Sequence, residues 1–223
     1  MNRRKFSGII LSASFGTIVI PSRANSKEIE KFDIRLGGPL YKKYNNPDEW
    51  IIALNELQYR AAYCPVGIDA TSDDIRAFKA AAHKADIVIS EVGAWSNPID
   101  PDPIKSNGSI EKCINSLRLA NEIGANCCVN ISGSRNPNKW AGPHNDNLTP
   151  ETFDLIVETT RKIIDAVKPK NTFYALEAMP WSYPDSVESY KSLIKAIDRK
   201  QFGVHLDPVN LVTSPQVYFK TGS

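Results

Sequence analysis

No apolar run in this sequence is long enough to cross a bilayer. The longest mostly apolar stretch, Gly8 to Ile20, has thirteen residues, against the roughly 20 that a spanning helix takes. There is no C-x-x-C pair among the four cysteines, which removes the usual spacing of zinc and redox centres. Nor do the cysteines form a disulfide framework. Cys127 and Cys128 are neighbours in an apolar run and point to opposite faces of a strand, so all four read as buried free thiols. The glycine fingerprint of a dinucleotide site is missing too, because the first strand pattern is followed by Gly37-Gly38-Pro39 rather than G-x-G-x-x-G. An excess of charge of either sign is missing as well. The first 24 residues hold four of the 27 basic residues (Arg3, Arg4, Lys5, Arg23) and none of the 25 acidic ones, so without them the charge moves from +2 to −2. A chain so balanced lacks the electrostatic footprint of a nonspecific nucleic-acid binder.

What is present is ordinary globular material: 223 residues, 42% hydrophobic, with 15 Pro and 12 Gly. That suffices for one sizeable core and suggests one domain, residues 25–223. Residues 1–24 read as an address. Asn2-Arg3-Arg4-Lys5-Phe6 is basic, the apolar stretch follows, and Pro21-Ser22-Arg23-Ala24 supplies a small-residue end, the order of a secretory signal. The paired arginines followed by x-Phe resemble a twin-arginine export signal. The expectation is a periplasmic or otherwise exported bacterial protein with no stable membrane insertion once the signal is removed.

Strand and helix patterns then alternate. Short β-rich runs recur at 32–36, 59–64, 87–91, 126–131, 172–177 and 202–207. Between them, helices are expected from Pro47, from Ser72 to about Ala85, from Ser109 to about Ile123, from Thr149-Pro150-Glu151, and from Ser186 to Ile197, with a sixth starting at Ser214. In the fourth, Phe153, Ile156, Val157, Thr160, Ile163, Ile164 and Val167 form an apolar stripe. Strict alternation predicts an α/β fold with a parallel sheet covered by helices. Without the nucleotide fingerprint, a closed (β/α)8 barrel is favoured over an open doubly wound sheet. Eight units typically need about 250 residues, and only about six are found here, so the chain reads as the front three-quarters of a barrel. Exposed edge strands would then favour aggregation or pairing with another copy.

Barrel active sites lie in the loops after the strands. Two of these are expected to be long, Gly93–Asn107 and Ser132–Leu148, and they carry Trp95 and Trp140. Loops of more than about 12 residues are usually functional or disordered, and indole and amide groups suit a sugar-like ligand. Three strands end in an acid after an apolar run, at Glu91, Glu177 and Asp207. An ionised carboxylate there needs water, a partner or a metal. Glu177 and Asp207 close consecutive strands about 4.8 Å apart, near enough to share one divalent cation. His205 shares the face of Asp207, one layer deeper. Spacing alone leaves a metal site and a carboxylate–arginine network, with Arg35 and Arg135, as alternatives.

Four segments carry a resemblance: EVGAWSNPIDPDP at 91–103, NISGSRNPNKWAGPHNDNLTPE at 130–151, ALEAMPWSYPDS at 175–186 and GVHLDPVN at 203–210. They resemble the xylose-isomerase-like TIM barrels, more narrowly the sugar phosphate isomerases/epimerases. The resemblance implies one divalent metal ion (manganese, magnesium, cobalt or zinc) held by a Glu, an Asp, a His and a Glu at the ends of the fifth to eighth strands. Glu177 and Asp207 match the first two, and the other two positions would lie beyond Ser223. It implies isomerisation or epimerisation of a sugar or polyol through an enediolate, with Glu177 as one catalytic base. Trp95, Asn130, Trp140, His144 and His205 are candidates for the substrate wall by position. Asn210 stands where related ketose epimerases often carry His, and Tyr183 where they tend to carry Glu. Type IV apurinic endonucleases share the superfamily but need more histidines than His83, His144 and His205. Such barrels often pair, so a homo-oligomer is a further implication. The alternatives are a related dehydratase or lyase, and a non-catalytic carbohydrate- or partner-binding barrel.

Overall fold

The computed structural model describes residues 34–212. The leader at 1–24, the start of the first expected strand and the helix expected from Ser214 lie outside them. In chain order the elements are β1 (Gly37–Gly38), α1 (Pro47–Glu56), β2 (Ala61–Tyr63), α2 (Ser72–Lys84), β3 (Val88–Gly93), α3 (Pro103–Ile123), β4 (Cys127–Asn130), a 3-10 turn (Asn145–Leu148), α4 (Pro150–Val167), β5 (Phe173–Glu177), α5 (Val187–Ile197), β6 (Phe202–His205) and the short α6 (Pro208–Leu211). All five strand pairings are parallel, and the strands lie side by side in sequence order. A doubly wound sheet reverses direction at a switch point, whereas a barrel does not. The unbroken order therefore makes this the six-stranded arc of a TIM barrel.

The helices start where the sequence offers caps. Asn46, Thr71, Thr149 and Ser186 each accept a bond from the backbone N–H three residues on, satisfying a donor that the first turn leaves open. The third helix starts six residues earlier than its apolar pattern suggests. Asp102 accepts from the Ile104 N–H over 2.9 Å and Pro103 takes the first position, so Pro103 to Gly108 is helix rather than loop. The first strand is also displaced. Residues 34–36 are not strand. Instead the Leu36 carbonyl accepts from the Arg60 and Ala61 N–H groups, and pairing runs through Gly37–Gly38. A Cβ on Gly37 would lie 2.5 Å from the Ala61 carbonyl oxygen, so glycine sets how closely these backbones approach.

The core fills the layer between sheet and helices, with Trp50, Leu54, Phe78, Ile89, Leu117, Ile156 and Leu193 all buried. Trp50 and Phe78 meet edge to face at 5.6 Å. The stripe of α4 packs as its spacing requires, Ile156, Ile163 and Ile164 being almost fully buried. Cys128 is buried in this layer and Cys127 is on the other face of β4, its Sγ 3.7 Å from the Ser90 carbonyl oxygen. All four cysteines are free. Among the described residues no helix is long and apolar enough to cross a membrane.

Candidate functional site

Glu177 is the last residue of β5 and His205 the last of β6, and the two are register partners. Tyr190 on α5 supports both strand ends from behind. Its hydroxyl lies 2.8 Å from the Leu176 carbonyl oxygen and 3.1 Å from that of His205, and its single hydrogen is shared between them. Asp207 is not a strand residue as expected but the cap of α6, where its Oδ1 accepts from the Val209 N–H at 2.9 Å. That role turns its other oxygen toward Asn210, one turn on. Asn210 Nδ2 donates to Asp207 Oδ2 at 3.1 Å and to Glu177 Oε1 at 2.9 Å. One nitrogen thus bridges the two carboxylates.

On the far side of Glu177 stands the imidazole of His205. Its Nε2 is 3.1 Å from Glu91 Oε2, while its Nδ1 makes no hydrogen bond and faces Glu177 Oε2 at 3.5 Å. The hydrogen bond to Glu91 raises the pKa of His205, and burial opposes it. Burial is the main cause that raises the pKa of Glu177; the carboxylates of Asp207 and Glu91 add to it and His205 works against it. Three acids and one imidazole therefore line one stretch of the barrel's inner face. The donor set suits a hard divalent cation, since Glu177 and Asp207 offer oxygens that already converge on one positively polarised group. Among the described residues, however, no group of three or more His, Cys, Asp or Glu side chains is arranged to enclose a metal ion.

From the sequence, Glu91 stands out only as a strand-ending acid. It sits within β3, not at its end, and a bulge puts it to use. Ala62 pairs with Ile89 but Tyr63 pairs with Glu91, so Ser90 is an extra residue. Ile89 and Val92 both enter the helix-side core, which a regular strand cannot do with residues three apart. The bulge delivers Glu91 to the inner face between them.

The other expected wall residues fall in different places. Trp95 is 40% exposed and lies against Gly93, where a Cβ would come within 2.4 Å of its indole nitrogen. Together with Glu91 it lines a cavity of about 540 Å³. Asn130 is fully buried on the helix side of β4 and does not face the acids. It accepts from the Ser96 N–H at 3.0 Å and donates to Cys113 Sγ at 3.3 Å, fixing α3 and the start of the β3–α3 loop. Its place at a strand end suggests a wall residue, but odd–even alternation from Cys128 turns residue 130 outward. His144 caps the 3-10 turn through its Nδ1, 3.3 Å from the Asp146 N–H, and Trp140 is half-exposed on the same loop. Of the two arginines weighed as partners for the acids, Arg35 bonds Asp86 at 2.9 Å and Arg135 donates to the Ile99 carbonyl at 2.5 Å.

The two long loops are locked together by buried polar groups. Asn97 donates to the Ser134 carbonyl at 2.8 Å and accepts from the Ser134 N–H at 2.9 Å. Asn147 accepts from the Arg135 N–H at 2.8 Å, and donates to the Gly142 carbonyl at 2.9 Å and the Trp181 carbonyl at 3.0 Å. Ser132 and Ser182 meet at 2.9 Å. The asparagines of these loops thus tie their backbones together at the rim of the inner face.

This geometry defines a TIM barrel with acids at the carboxyl ends of its strands. Residues 55–220 match the model of the xylose isomerase-like TIM barrel family, more than half of the chain, and the protein belongs to that family. Several solved structures share the fold. A xylose isomerase-like TIM barrel protein from Mycobacterium smegmatis, in complex with magnesium, is 19% identical with a TM-score of 0.56, over 79% of this chain and 64% of that one. D-psicose 3-epimerase from Clostridium cellulolyticum H10, with D-tagatose, is 14% identical with a TM-score of 0.53, over 72% and 57%. The 3-keto-D-glucoside 4-epimerase of E. coli, in apo form, is 12% identical with a TM-score of 0.61, over 83% and 73%. The chain thus spans less than two thirds of the magnesium-bound protein and of the psicose epimerase. No curated protein gives a significant match.

Proposed function

We propose that the protein is a divalent-metal-dependent isomerase or epimerase of a sugar or polyol. The observation that carries this reading is the pairing of Glu177 with Asp207, two carboxylates bridged by the single nitrogen of Asn210. A cation held by Glu177 and Asp207 would polarise the substrate's carbonyl and acidify the neighbouring C–H. Glu177 takes that proton. Its raised pKa, caused chiefly by burial, brings a carboxylate nearer the basicity that proton abstraction requires. The electron pair left on carbon delocalises onto the carbonyl oxygen. Return of the proton to the adjacent carbon, with the hydroxyl proton passing to the former carbonyl oxygen, gives isomerisation; delivery of a proton to the opposite face of the same carbon by a second acid, while Glu177 keeps the one it took, gives epimerisation. His205, held by Glu91 on one side, faces the free oxygen of Glu177 on the other at 3.5 Å.

The test is solvent-deuterium incorporation at the carbon next to the carbonyl, followed over a panel of aldoses, ketoses and inososes with manganese present. Glu177→Gln is expected to lower it by about 10²-fold or more. Exchange that survives the substitution unchanged overturns the assignment. Export through the twin-arginine route is part of the same proposal and rests on the leader. Arg3→Lys together with Arg4→Lys is expected to trap the precursor in the cytoplasm, and undiminished appearance in the periplasmic fraction contradicts that route.

A further inference from the structure

Each acid of the Glu177–Asp207 pair commits one oxygen to its own surroundings and leaves the other to Asn210. Glu177 Oε2 faces His205 Nδ1 at 3.5 Å. Asp207 Oδ1 accepts from the Val209 N–H at 2.9 Å, the bond that caps α6. The remaining oxygens, Glu177 Oε1 and Asp207 Oδ2, lie 2.9 and 3.1 Å from one atom, Asn210 Nδ2. Among the described residues these two are the amide's only hydrogen bonds, and both use its nitrogen.

The two spacings are those of a coordination edge. Neighbouring ligands of an octahedral cation with bonds of about 2.1 Å stand about 3.0 Å apart, √2 times the bond length. The tip of Asn210 therefore lies from each free carboxylate oxygen as one ligand oxygen lies from the next. The atom at that tip is the wrong one for a cation, because an amide NH2 carries positively polarised hydrogens and accepts nothing. A half-turn about Cβ–Cγ exchanges it for Oδ1. Such a torsion is broad and roughly two-fold, and the turn gives up no hydrogen bond other than the two to the acids. Without a cation the turned amide would set its oxygen against two carboxylates, so the N–H side faces them. A cation between the three reverses that preference.

We propose that Asn210 is a ligand of the divalent cation, its amide turning so that Oδ1 joins Glu177 Oε1 and Asp207 Oδ2. The inference deepens the metal-dependent reading and rests on it for the presence of the cation. It identifies a donor outside the His, Cys, Asp and Glu side chains, of which no group of three is arranged around an ion among the described residues. Two carboxylates and a neutral amide balance a divalent charge, and an all-oxygen set of this kind suits magnesium or manganese.

Manganese alone, added to the full chain, is the probe. The electron paramagnetic resonance of free manganese measures binding, and electron–nuclear double resonance examines the bound ion in protein labelled with carbon-13 at asparagine Cγ. A carbonyl carbon one oxygen away from manganese is expected to give a resolved carbon-13 coupling, which an amide outside the coordination shell does not. Asn210→Ala should remove that coupling and weaken binding by about tenfold or more, at least the effect of losing an outer partner of a ligand. Asn210→Asp keeps an oxygen at that place and should bind manganese at least as tightly as the unsubstituted chain, which controls for misfolding. No bound manganese, no coupling in the unsubstituted chain, a coupling that survives Asn210→Ala, or affinity unchanged by that substitution overturns the proposal. Failure of the isomerase reading looks different. Coupling without proton exchange on any sugar sinks the reaction and leaves the ligand, whereas exchange by a protein whose manganese shows no coupling does the reverse.

Discussion

Asn210 donates its side-chain amide to Glu177 Oε1 across 2.9 Å, with Asp207 Oδ2 at 3.1 Å from the same nitrogen. The contact ties the end of β5 to α6 and holds two like charges near each other. Asn210→Ala removes the bridge and is expected to destabilise the protein by about 1.5–3 kcal/mol at pH 7, the range for hydrogen bonds to charged groups. Urea denaturation in the presence of a chelator measures it. Added manganese should recover part of the loss, because a ligand that binds only the folded state stabilises it by mass action.

Glu91 carries the hydrogen bond that orients His205, so its removal is expected to act through position as well as stability. Glu91→Gln keeps an acceptor and should cost less than Glu91→Ala, which leaves a partly buried ring nitrogen unpaired at about 1–3 kcal/mol. Thermal melts of the two variants give the order. Equal melting temperatures for both would show that the contact is idle.

Gly133 has a φ of 107°, and a Cβ there would fall 2.1 Å from Asn97 Oδ1. Gly133→Ala therefore combines a strained backbone with the loss of the Asn97–Ser134 pairing. A destabilisation of about 2 kcal/mol or more is expected from the two effects together. Asn97→Ala should reproduce the pairing part of it. Chemical denaturation of both variants separates the contributions.

The Cys127 thiol is pushed up to about 11 by burial, with the Glu91 carboxylate adding to it. An unfolded thiol titrates near about 8.5, so the folded chain holds this proton more tightly than the unfolded one. Stability from this group is present below about 8.5 and falls as pH rises toward 11. Iodoacetamide labelling of Cys127, read by peptide mass spectrometry, should be slow at pH 8 and gain about tenfold per pH unit toward 11, following the thiolate. The urea-unfolded chain should label readily at pH 8.5.

Thr149 caps α4 with its hydroxyl on the Thr152 N–H at 3.3 Å. Thr149→Ala is expected to cost about 1 kcal/mol, measured as a shift of the denaturation midpoint without a change of slope.

Local chemistry carried most of the fold into the sequence. The caps at Asn46, Thr71, Thr149 and Ser186, the stripe of α4 and the strict strand–helix alternation are short-range facts, and each yields an element where it was expected. The misplacements have equally local causes. Asp102-Pro103 starts a helix under residues that look like loop, and Gly37 allows a pairing closer than any side chain permits.

The site divides along the same line. That Glu177 and Asp207 lie near each other follows from consecutive strands and a capped turn, and the sequence determines it. That Glu91 reaches His205 does not. Hydrogen-bonded register runs from Glu91 through Cys127 to Phe173, four residues short of Glu177, the partner of His205. Barrel strands tilt by about 36°, so side chains at one height climb along the chain from strand to strand, and Glu91 meets a residue that flat pairing would put well above it. The extra residue at Ser90 then selects the face. Tilt and bulge are properties of the assembled sheet, and so only the tertiary structure decided which acid holds the histidine and which amide, Asn130, turns away.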